Sequence, residues 1–204
     1  YYGSRQDGGF ASSLNVKAWN LLRVSETVSL RDASLTEPMS VVVHAVDKLG
    51  ISSEEVSSVV IIGVGFLGLI AIELLKTVSP NLDLHVCDRN KGKLLQAEAL
   101  GATCHLLDSE ESWHEFERNY KNKFKFTLES TGMPSRFSNS INVTKQGGIL
   151  VWMGNITGKL ELEKNVVSEI LRKELSIKGT WNSTYSSDGQ NDWVKAISFM
   201  EKGV

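Results

Sequence analysis

The sequence predicts an α/β protein built on a doubly wound parallel sheet of six strands. Three observations support this fold class. Apolar, β-branched runs alternate with helical patterns from residue 58 onward, a glycine-rich turn follows the first run, and an acidic residue ends the second. Strands of a parallel sheet are covered by helices on both faces and are therefore apolar along their length, as these runs are.

The first 50 residues do not show this alternation. Short strand-like pieces at residues 9–11 and 21–24 precede a stretch, residues 33–48, in which apolar residues recur every three or four positions. That spacing predicts one helix with a buried face, and Pro38 near its start is compatible with a first helical turn. We expect this region to be the end of another domain.

Six strands are predicted after that region, each separated from the next by a glycine turn, a loop or a helical pattern. Helices are predicted at residues 66–78, 91–100 and 109–120, with further helices before the last two strands and a final one at 190–203. The predicted strands are residues 58–62, 82–87, 103–107, 124–128, 149–153 and 175–178.

Composition and charge exclude several classes of protein. The 204 residues carry a formal net charge of -2, which gives no electrostatic basis for binding nucleic acid. The longest apolar stretch, residues 59–72, is broken by three glycines and is too short to span a membrane. The first residues do not resemble a signal peptide, so we expect a cytoplasmic protein. Cys87 and Cys104 lack the spacing of a structural zinc site, and we expect both to be buried free thiols.

The glycine-rich turn has the form G-x-G-x-x-G, with Gly63, Gly65 and Gly68, directly after the first apolar run. In a nucleotide-binding sheet of the Rossmann type, the first glycine permits a tight turn, the second lets the backbone approach a pyrophosphate, and the third lets helix and strand pack closely. Phe66 would open the helix, whose N-terminus attracts phosphate. The pattern alone is weak, but its place between a predicted strand and a predicted helix strengthens it.

Asp88 ends the second predicted strand, twenty residues after Gly68. A carboxylate at this place accepts hydrogen bonds from the adenine ribose and repels the extra phosphate of NADP, so the sequence favours NAD. Arg89 follows directly and would weaken that preference by pairing with a phosphate. Two alternatives remain open here: a glycine turn that binds no nucleotide, and a methyltransferase that uses S-adenosylmethionine.

The chain resembles the medium-chain zinc-dependent dehydrogenases, in particular their polyol branch of sorbitol and galactitol-1-phosphate dehydrogenases. The resemblance spans nearly the whole chain. Besides the glycine turn, it rests on GSRQDGGFA at residues 3–11, EP at 37–38, VHA at 43–45, LGA at 100–102, ESTG at 129–132, LRKEL at 171–175 and IKGTW at 177–181.

The resemblance implies a division into two domains. Residues 1–50 would end a GroES-like catalytic domain, residues 51–182 would form the NAD-binding domain, and residues 183–204 would begin the return to the catalytic domain. The zinc ligands of the family would lie outside this chain, apart from Glu37, which matches the family residue that faces the catalytic zinc. Without the resemblance, Glu37 reads as a carboxylate that offsets a helix dipole. His44 is expected to be a core histidine, and His85, His105 and His114 lie on separate predicted elements.

Further cofactor contacts follow from the resemblance alone. Leu67 would lie near the pyrophosphate and Lys93 near the adenine ribose. The remaining contacts would follow the fourth, fifth and sixth strands: Thr131, Gly132, Met153, Gly154, Asn155, Thr180, Trp181 and Asn182. Val42 departs from the glycine that often follows the EP motif, which would narrow the substrate pocket or alter the packing of the helix.

The function implied is oxidation of a secondary alcohol of a polyol or polyol phosphate, with hydride transfer to NAD and activation of the hydroxyl by zinc. Arg5 is a candidate partner for a substrate phosphate. Two alternatives are an NAD-binding module without catalysis and a zinc-independent NADPH reductase, which Asp88 disfavours. By analogy we expect a homo-oligomer, in which the apolar fifth strand, residues 148–152, pairs across a two-fold axis.

Overall fold

A computed structural model describes residues 2–3, 5–54, 57–186 and 191–204. In this part of the chain, six parallel strands form one sheet in the order β3-β2-β1-β4-β5-β6. The order reverses between β1 and β4, which is the doubly wound arrangement that the sequence predicts. The strands are β1 (Ser58–Ile62), β2 (Asp83–Asp88), β3 (Thr103–Leu106), β4 (Phe124–Glu129), β5 (Thr144–Trp152) and β6 (Ser176–Gly179).

The helices follow the predicted boundaries within a few residues. Ser109 and Asn191 cap the helices after them, accepting hydrogen bonds from the backbone N–H of Ser112 and Val194. The predicted helix at 190–203 thus begins after Asn191, and its first position, Gln190, lies outside the described residues. The helices are α1 (Leu30–Ala33), α2 (Thr36–Leu49), α3 (Phe66–Val78), α4 (Lys91–Ala99), α5 (Glu110–Tyr120), α6 (Pro134–Val143), α7 (Lys164–Arg172) and α8 (Asp192–Glu201).

The helix predicted at residues 33–48 is α2, which begins at Thr36, and a break separates it from the short α1 before it. The break lies between α1 and α2, where Leu35 leaves the helical conformation and the Thr36 hydroxyl donates a hydrogen bond to the Ala33 carbonyl. Pro38, which lacks an N–H donor, lies in the first turn of α2, where no such donor is needed. The apolar spacing located the buried face of α2 correctly but could not locate the break.

The strand-like pieces predicted at residues 9–11 and 21–24 are wrong, because the backbone there is irregular. A strand needs a neighbouring strand to accept and donate its backbone hydrogen bonds. Before β1, the described residues contain one isolated bridge, between Tyr2 and Gln6, and no ladder. Local composition therefore suggested strands, but the described part of the chain contains no neighbouring strand with which these pieces could pair.

Helices cover both faces of the sheet. On one face, α2, α3, α4 and α8 enclose a core that contains Val59 and Ile61 of β1. On the other face, α5 packs near Val60 and Ile62, and α6 and α7 pack against β5. Since α2 and α8 share a core with the sheet, the segments on either side of residues 51–182 contribute to its packing. The domain limits remain a proposal about the whole protein.

Two further expectations, on the pairing of the fifth strand and on the burial of Cys104, are corrected. The fifth strand, β5, is hydrogen-bonded to β4 on one side and β6 on the other, so it cannot pair across a two-fold axis; the outer strand is β6. Cys87 is buried, but Cys104 is only half-buried, and both thiols are free. Among the described residues, no helix is long and apolar enough to cross a membrane.

Two histidines that lie on separate strands meet in the structure. β2 and β3 are neighbours, and their register pairs His85 with Thr103 and Cys87 with His105. The two histidines are therefore diagonal neighbours, with 2.8 Å between His85 Nδ1 and His105 Nε2. The other nitrogen of His85 lies 3.1 Å from an Asp83 carboxylate oxygen. Burial lowers the pKa of His85, and burial together with the neighbouring His85 lowers the pKa of His105 to about 4. Both rings are therefore held in the neutral form near pH 7.

Candidate functional site

The glycine loop connects β1 to α3 at the carboxyl edge of the sheet. Gly63 has a φ of +98°, a left-handed conformation that favours glycine. The Gly63 N–H donates to the Cys87 carbonyl at 2.9 Å, and the Gly63 carbonyl accepts from the Ser130 hydroxyl at 2.8 Å. A Cβ at Gly63 would lie 2.7 Å from the Thr131 methyl group. The turn is therefore bound to β2 and to the end of β4.

The other two glycines of the loop serve different purposes. A Cβ at Gly68 would collide with the Gly63 carbonyl oxygen, so this glycine lets α3 pack against the loop. A Cβ at Gly65 would meet nothing within 4 Å, so the backbone there borders open space. Gly65 is also the N-cap of α3, and because glycine has no side chain, it makes no capping hydrogen bond to the first N–H groups of the helix. The first N–H groups of α3 are thus available to an anion.

Asp88 is held against the loop by two hydrogen bonds. One carboxylate oxygen accepts from the Val64 N–H and the other from the Asn90 N–H, both at 2.8 Å. Each oxygen keeps a further lone pair that can accept from a ligand hydroxyl. The two backbone donors therefore orient the carboxylate before any ligand binds.

A cleft of about 650 Å³ lies beside the loop and Asp88. It brings together six residues that the sequence predicted as cofactor contacts: Gly63, Gly65, Asp88, Arg89, Lys93 and Thr131. Its other walls were not predicted: Ile62, Cys87, Leu107, Asp108, Ser109, Glu110, Trp113, Ser130, Met133 and Arg136. The residues after β3 were predictable in principle, because β3 ends at the same edge as β2.

Three side chains of the cleft wall, on α5 and α6, contact one another. The Arg136 guanidinium lies 4.2 Å from the centre of the Trp113 ring and donates to a Glu110 carboxylate oxygen at 2.6 Å. A second hydrogen bond, 2.8 Å long, runs from Arg136 to the Asn139 side-chain oxygen. Since this wall depends on how α5 and α6 pack together, no local sequence pattern points to it.

The carboxyl edge continues past the glycine loop over β4 and β5. There the backbones of Gly132 and Gly154 approach so closely that a Cβ on either glycine would collide with the other loop. Glu129, at the end of β4, is fully buried beneath this contact and accepts hydrogen bonds from Thr131 and Gly132. Burial raises the pKa of the Glu129 carboxyl, and those hydrogen bonds oppose the rise. Sequence analysis missed its role, although an acidic residue that ends an apolar strand was a visible signal.

The remaining predicted contacts lie along the same edge but do not line the cleft. Met153, Gly154 and Asn155 follow β5, beside Gly132, and Trp181 is exposed after β6. The Thr180 hydroxyl oxygen is buried without a hydrogen-bond partner among the described residues. Asn182, two residues later, has a φ of +53°. On α3, Phe66 is exposed, whereas Leu67 packs against the core.

The described residues do not form a metal site. They contain no group of three or more His, Cys, Asp or Glu side chains arranged to hold an ion. Glu37 is exposed in the first turn of α2, and one carboxylate is too few ligands for a zinc site. His44 is partly exposed, and its Nδ1 lies 2.9 Å from an Asp192 carboxylate oxygen. Val42 is fully buried in the core and takes part in helix packing, whereas its effect on a substrate pocket stays a prediction.

Comparison with known proteins places the chain among dehydrogenases. A family model described as zinc-binding dehydrogenase matches residues 67–202. The chain is 28% identical over 203 residues to galactitol 1-phosphate 5-dehydrogenase of Escherichia coli K12, a match that covers 98% of this chain and 58% of that protein. It is 26% identical over 204 residues to L-threonine 3-dehydrogenase of Shewanella pealeana, covering 99% of this chain and 57% of that protein.

A solved structure shares the fold. The crystal structure of galactitol-1-phosphate dehydrogenase from Escherichia coli superposes with a TM-score of 0.83 at 28% identity, over 99% of this chain and 58% of that one. The chain therefore spans less than two thirds of the length of these relatives.

Proposed function

The chain belongs to the zinc-binding dehydrogenase family, and we propose that it binds NAD over the carboxyl ends of its strands. One observation carries this proposal: a single cleft contains both the open backbone at Gly65 and the oriented carboxylate of Asp88. The first fits a pyrophosphate against the N-terminus of α3, and the second fits the ribose hydroxyls of an adenosine. The residues present thus match the pyrophosphate and the adenosine ribose of a dinucleotide.

The two ends of the cofactor follow from the sheet order. With its ribose on Asp88, the adenosine would lie over β1, β2 and β3, and the nicotinamide would lie on the other side of the glycine loop, over β4, β5 and β6. This placement gives Thr131, at the margin of the cleft, a role. It also gives a role to Gly132 and to the residues after β5 and β6, although these lie outside the cleft. Asp88 disfavours the extra phosphate of NADP, and NAD is therefore proposed in preference to NADP.

For the whole protein we propose oxidation of a secondary alcohol of a polyol or polyol phosphate, in which NAD accepts a hydride. The sequence resemblance and the galactitol 1-phosphate relative support this substrate class, while the threonine dehydrogenase relative shows that similar chains act on other alcohols. Glu37 remains a proposed contact of a catalytic zinc whose other ligands would come from beyond these 204 residues. The described residues alone assign no reaction step to that metal.

A second candidate is an NAD-binding module without catalysis. It rests on the same cleft as the first candidate and assigns no reaction to the protein. The two candidates agree on cofactor binding and differ in whether the whole protein oxidises an alcohol, which a zinc determination and an assay of the full-length protein would distinguish.

Substitution of Gly65 tests cofactor binding without disturbing the fold. Gly65 has a φ of -78°, which valine adopts readily, and its Cβ would meet no neighbour. Gly65→Val would therefore fill the space proposed for the pyrophosphate at a cost of less than about 1 kcal/mol in stability. We expect the Kd for NADH, measured by isothermal titration calorimetry, to rise by at least about tenfold.

Gly9→Val is the matched control, because Gly9 also has open space around its Cβ but lies far along the chain from the loop. We expect its Kd for NADH to equal that of the wild type. If Gly65→Val folds and binds NADH as tightly as the wild type does, the pyrophosphate does not lie at this loop and the proposal is wrong.

A further inference from the structure

Glu129 is a buried carboxylate that the proposed function does not yet use. It ends β4, has a relative exposure of 0%, and lies at the centre of the sheet edge. Its backbone carbonyl accepts hydrogen bonds from the N–H groups of Met153 and Gly154, at 2.9 and 3.0 Å. The residue therefore connects the loop after β4 to the loop after β5.

Among the described residues, every hydrogen-bond partner of the Glu129 side chain is a donor. One carboxylate oxygen accepts from the Thr131 N–H at 2.7 Å, from the Thr131 hydroxyl, and from the Gly132 N–H at 3.2 Å. The other oxygen is 3.4 Å from the Gly132 N–H and points toward Gly154. An arrangement made only of donors matches an ionised carboxylate, which accepts hydrogen bonds and donates none.

The charge of Glu129 has no countercharge nearby. Among the described residues, no lysine, arginine or histidine forms an ion pair with it, in contrast to Glu110, which pairs with Arg136. A buried, unpaired negative charge is costly, and such a charge at a sheet edge attracts any cation that binds beside it.

We propose that Glu129 is a positioning residue for the nicotinamide half of the cofactor, and that its negative charge favours the oxidised cofactor over the reduced one. The inference rests on the proposed function, since it requires NAD to bind along this edge. The Thr131–Gly132 turn and the loop at Gly154 would border the nicotinamide, and Glu129 holds both. The nicotinamide ring is positively charged in NAD⁺ and neutral in NADH, so a negative charge distinguishes the two.

Glu129→Gln tests this inference, because it keeps the shape of the side chain and removes the charge. Two unit charges roughly 10 Å apart, at an effective dielectric constant of about 20, change an equilibrium constant about tenfold. We therefore expect the ratio of the Kd for NAD⁺ to the Kd for NADH to rise about tenfold in Glu129→Gln, with both constants measured by calorimetry. A purely structural role would raise both constants by the same factor.

Two further variants complete the experiment. Glu129→Asp keeps the charge but shortens the side chain, so both Kd values should rise while their ratio stays at the wild-type value. Glu163→Gln removes an exposed carboxylate before α7 and should change neither constant. If Glu129→Gln does not fold, the result for Glu129→Asp tests the inference. A changed ratio of the Kd for NAD⁺ to the Kd for NADH in Glu129→Asp, or Kd values equal to those of the wild type, would contradict the inference.

The outcomes separate the two proposals. If the wild-type chain binds neither NAD⁺ nor NADH, the proposed function fails. If the wild type binds both and the ratio is the same in Glu129→Gln, the proposed function stands and the inference about Glu129 fails.

Discussion

At the scale of single residues, the cleft is defined by side chains that the backbone holds in place. Asp88 is oriented by the N–H groups of Val64 and Asn90, so its carboxylate does not rearrange to receive a ribose. Preorganised acceptors of this kind lose little entropy on binding. The charge of Asp88 is therefore expected to determine the choice between NAD and NADP.

Asp88→Asn should weaken the preference for NAD over NADP. The substitution removes the negative charge that repels a ribose phosphate and weakens the hydrogen bonds to the ribose hydroxyls, each worth about 1.5–3 kcal/mol when charged. We expect the Kd for NADH to rise about tenfold and the preference for NADH over NADPH to fall by at least that factor, in fluorescence titrations with each. Glu98→Gln, an exposed change on α4, is the control. An unaltered NADH to NADPH preference would show that Asp88 does not contact the ribose.

Residues whose role is local could be predicted from the sequence, and residues whose role depends on packing could not. Gly63, Gly65, Gly68 and Asp88 were found because a strand, a tight turn and a helix leave a readable spacing. The Arg136 stack on Trp113 was not found, since it forms only when α5 and α6 meet. Glu129 belongs to the ESTG motif, but its burial between two loops depends on tertiary packing, which the sequence does not show.

At the scale of elements, β2 and β3 are joined by a histidine pair, in which His85 is buried and His105 is half-buried. His85 and His105 stack with their ring centroids 5.1 Å apart, and Phe116, Tyr120 and Phe124 surround them. The pKa of His105 falls to about 4 in the folded chain, and that of His85 is also lowered. Because the unfolded chain binds these protons near pH 6.5, acid favours unfolding, and stability is lost as the pH falls from about 6.5 toward 4.

Stability measurements at two pH values test this pair. We expect the free energy of unfolding, from urea titrations, to fall between pH 7 and pH 5, with roughly 1 to 2 kcal/mol of the loss due to His105. His105→Gln should reduce the loss by that amount, whereas His114→Gln, an exposed change on α5, should leave it unchanged. The raised pKa of Glu129 acts in the opposite sense in all three proteins and cancels in the comparison. An equal pH dependence in wild type and His105→Gln would contradict the account.

Element boundaries show what periodicity can and cannot supply. The limits of β1 and α3 match the prediction, since the glycine loop separates them sharply. The start of α2 was predicted too early, because apolar spacing alone does not mark the break that precedes Thr36. The strand-like pieces near residues 10 and 22 were wrong because strand formation requires a partner.

At the scale of the whole molecule, the sheet order brings the strand ends into one line. Strand order itself is tertiary, but alternating strands and helices predict parallel strands, and the position of the glycine loop predicts the edge at which a ligand binds. The sequence did not reveal that α2 and α8 complete the core on one face, or that β6 is the outer strand.

The central claim is that this chain has a working NAD site, and a titration with NADH and then NADPH tests it most directly. Trp113 lines the cleft and Trp152 lies at the end of β5, so intrinsic tryptophan fluorescence should report occupancy. We predict saturable quenching by NADH, with a Kd lower than that for NADPH. Absence of quenching by both, or an equal Kd for the two, would contradict the account.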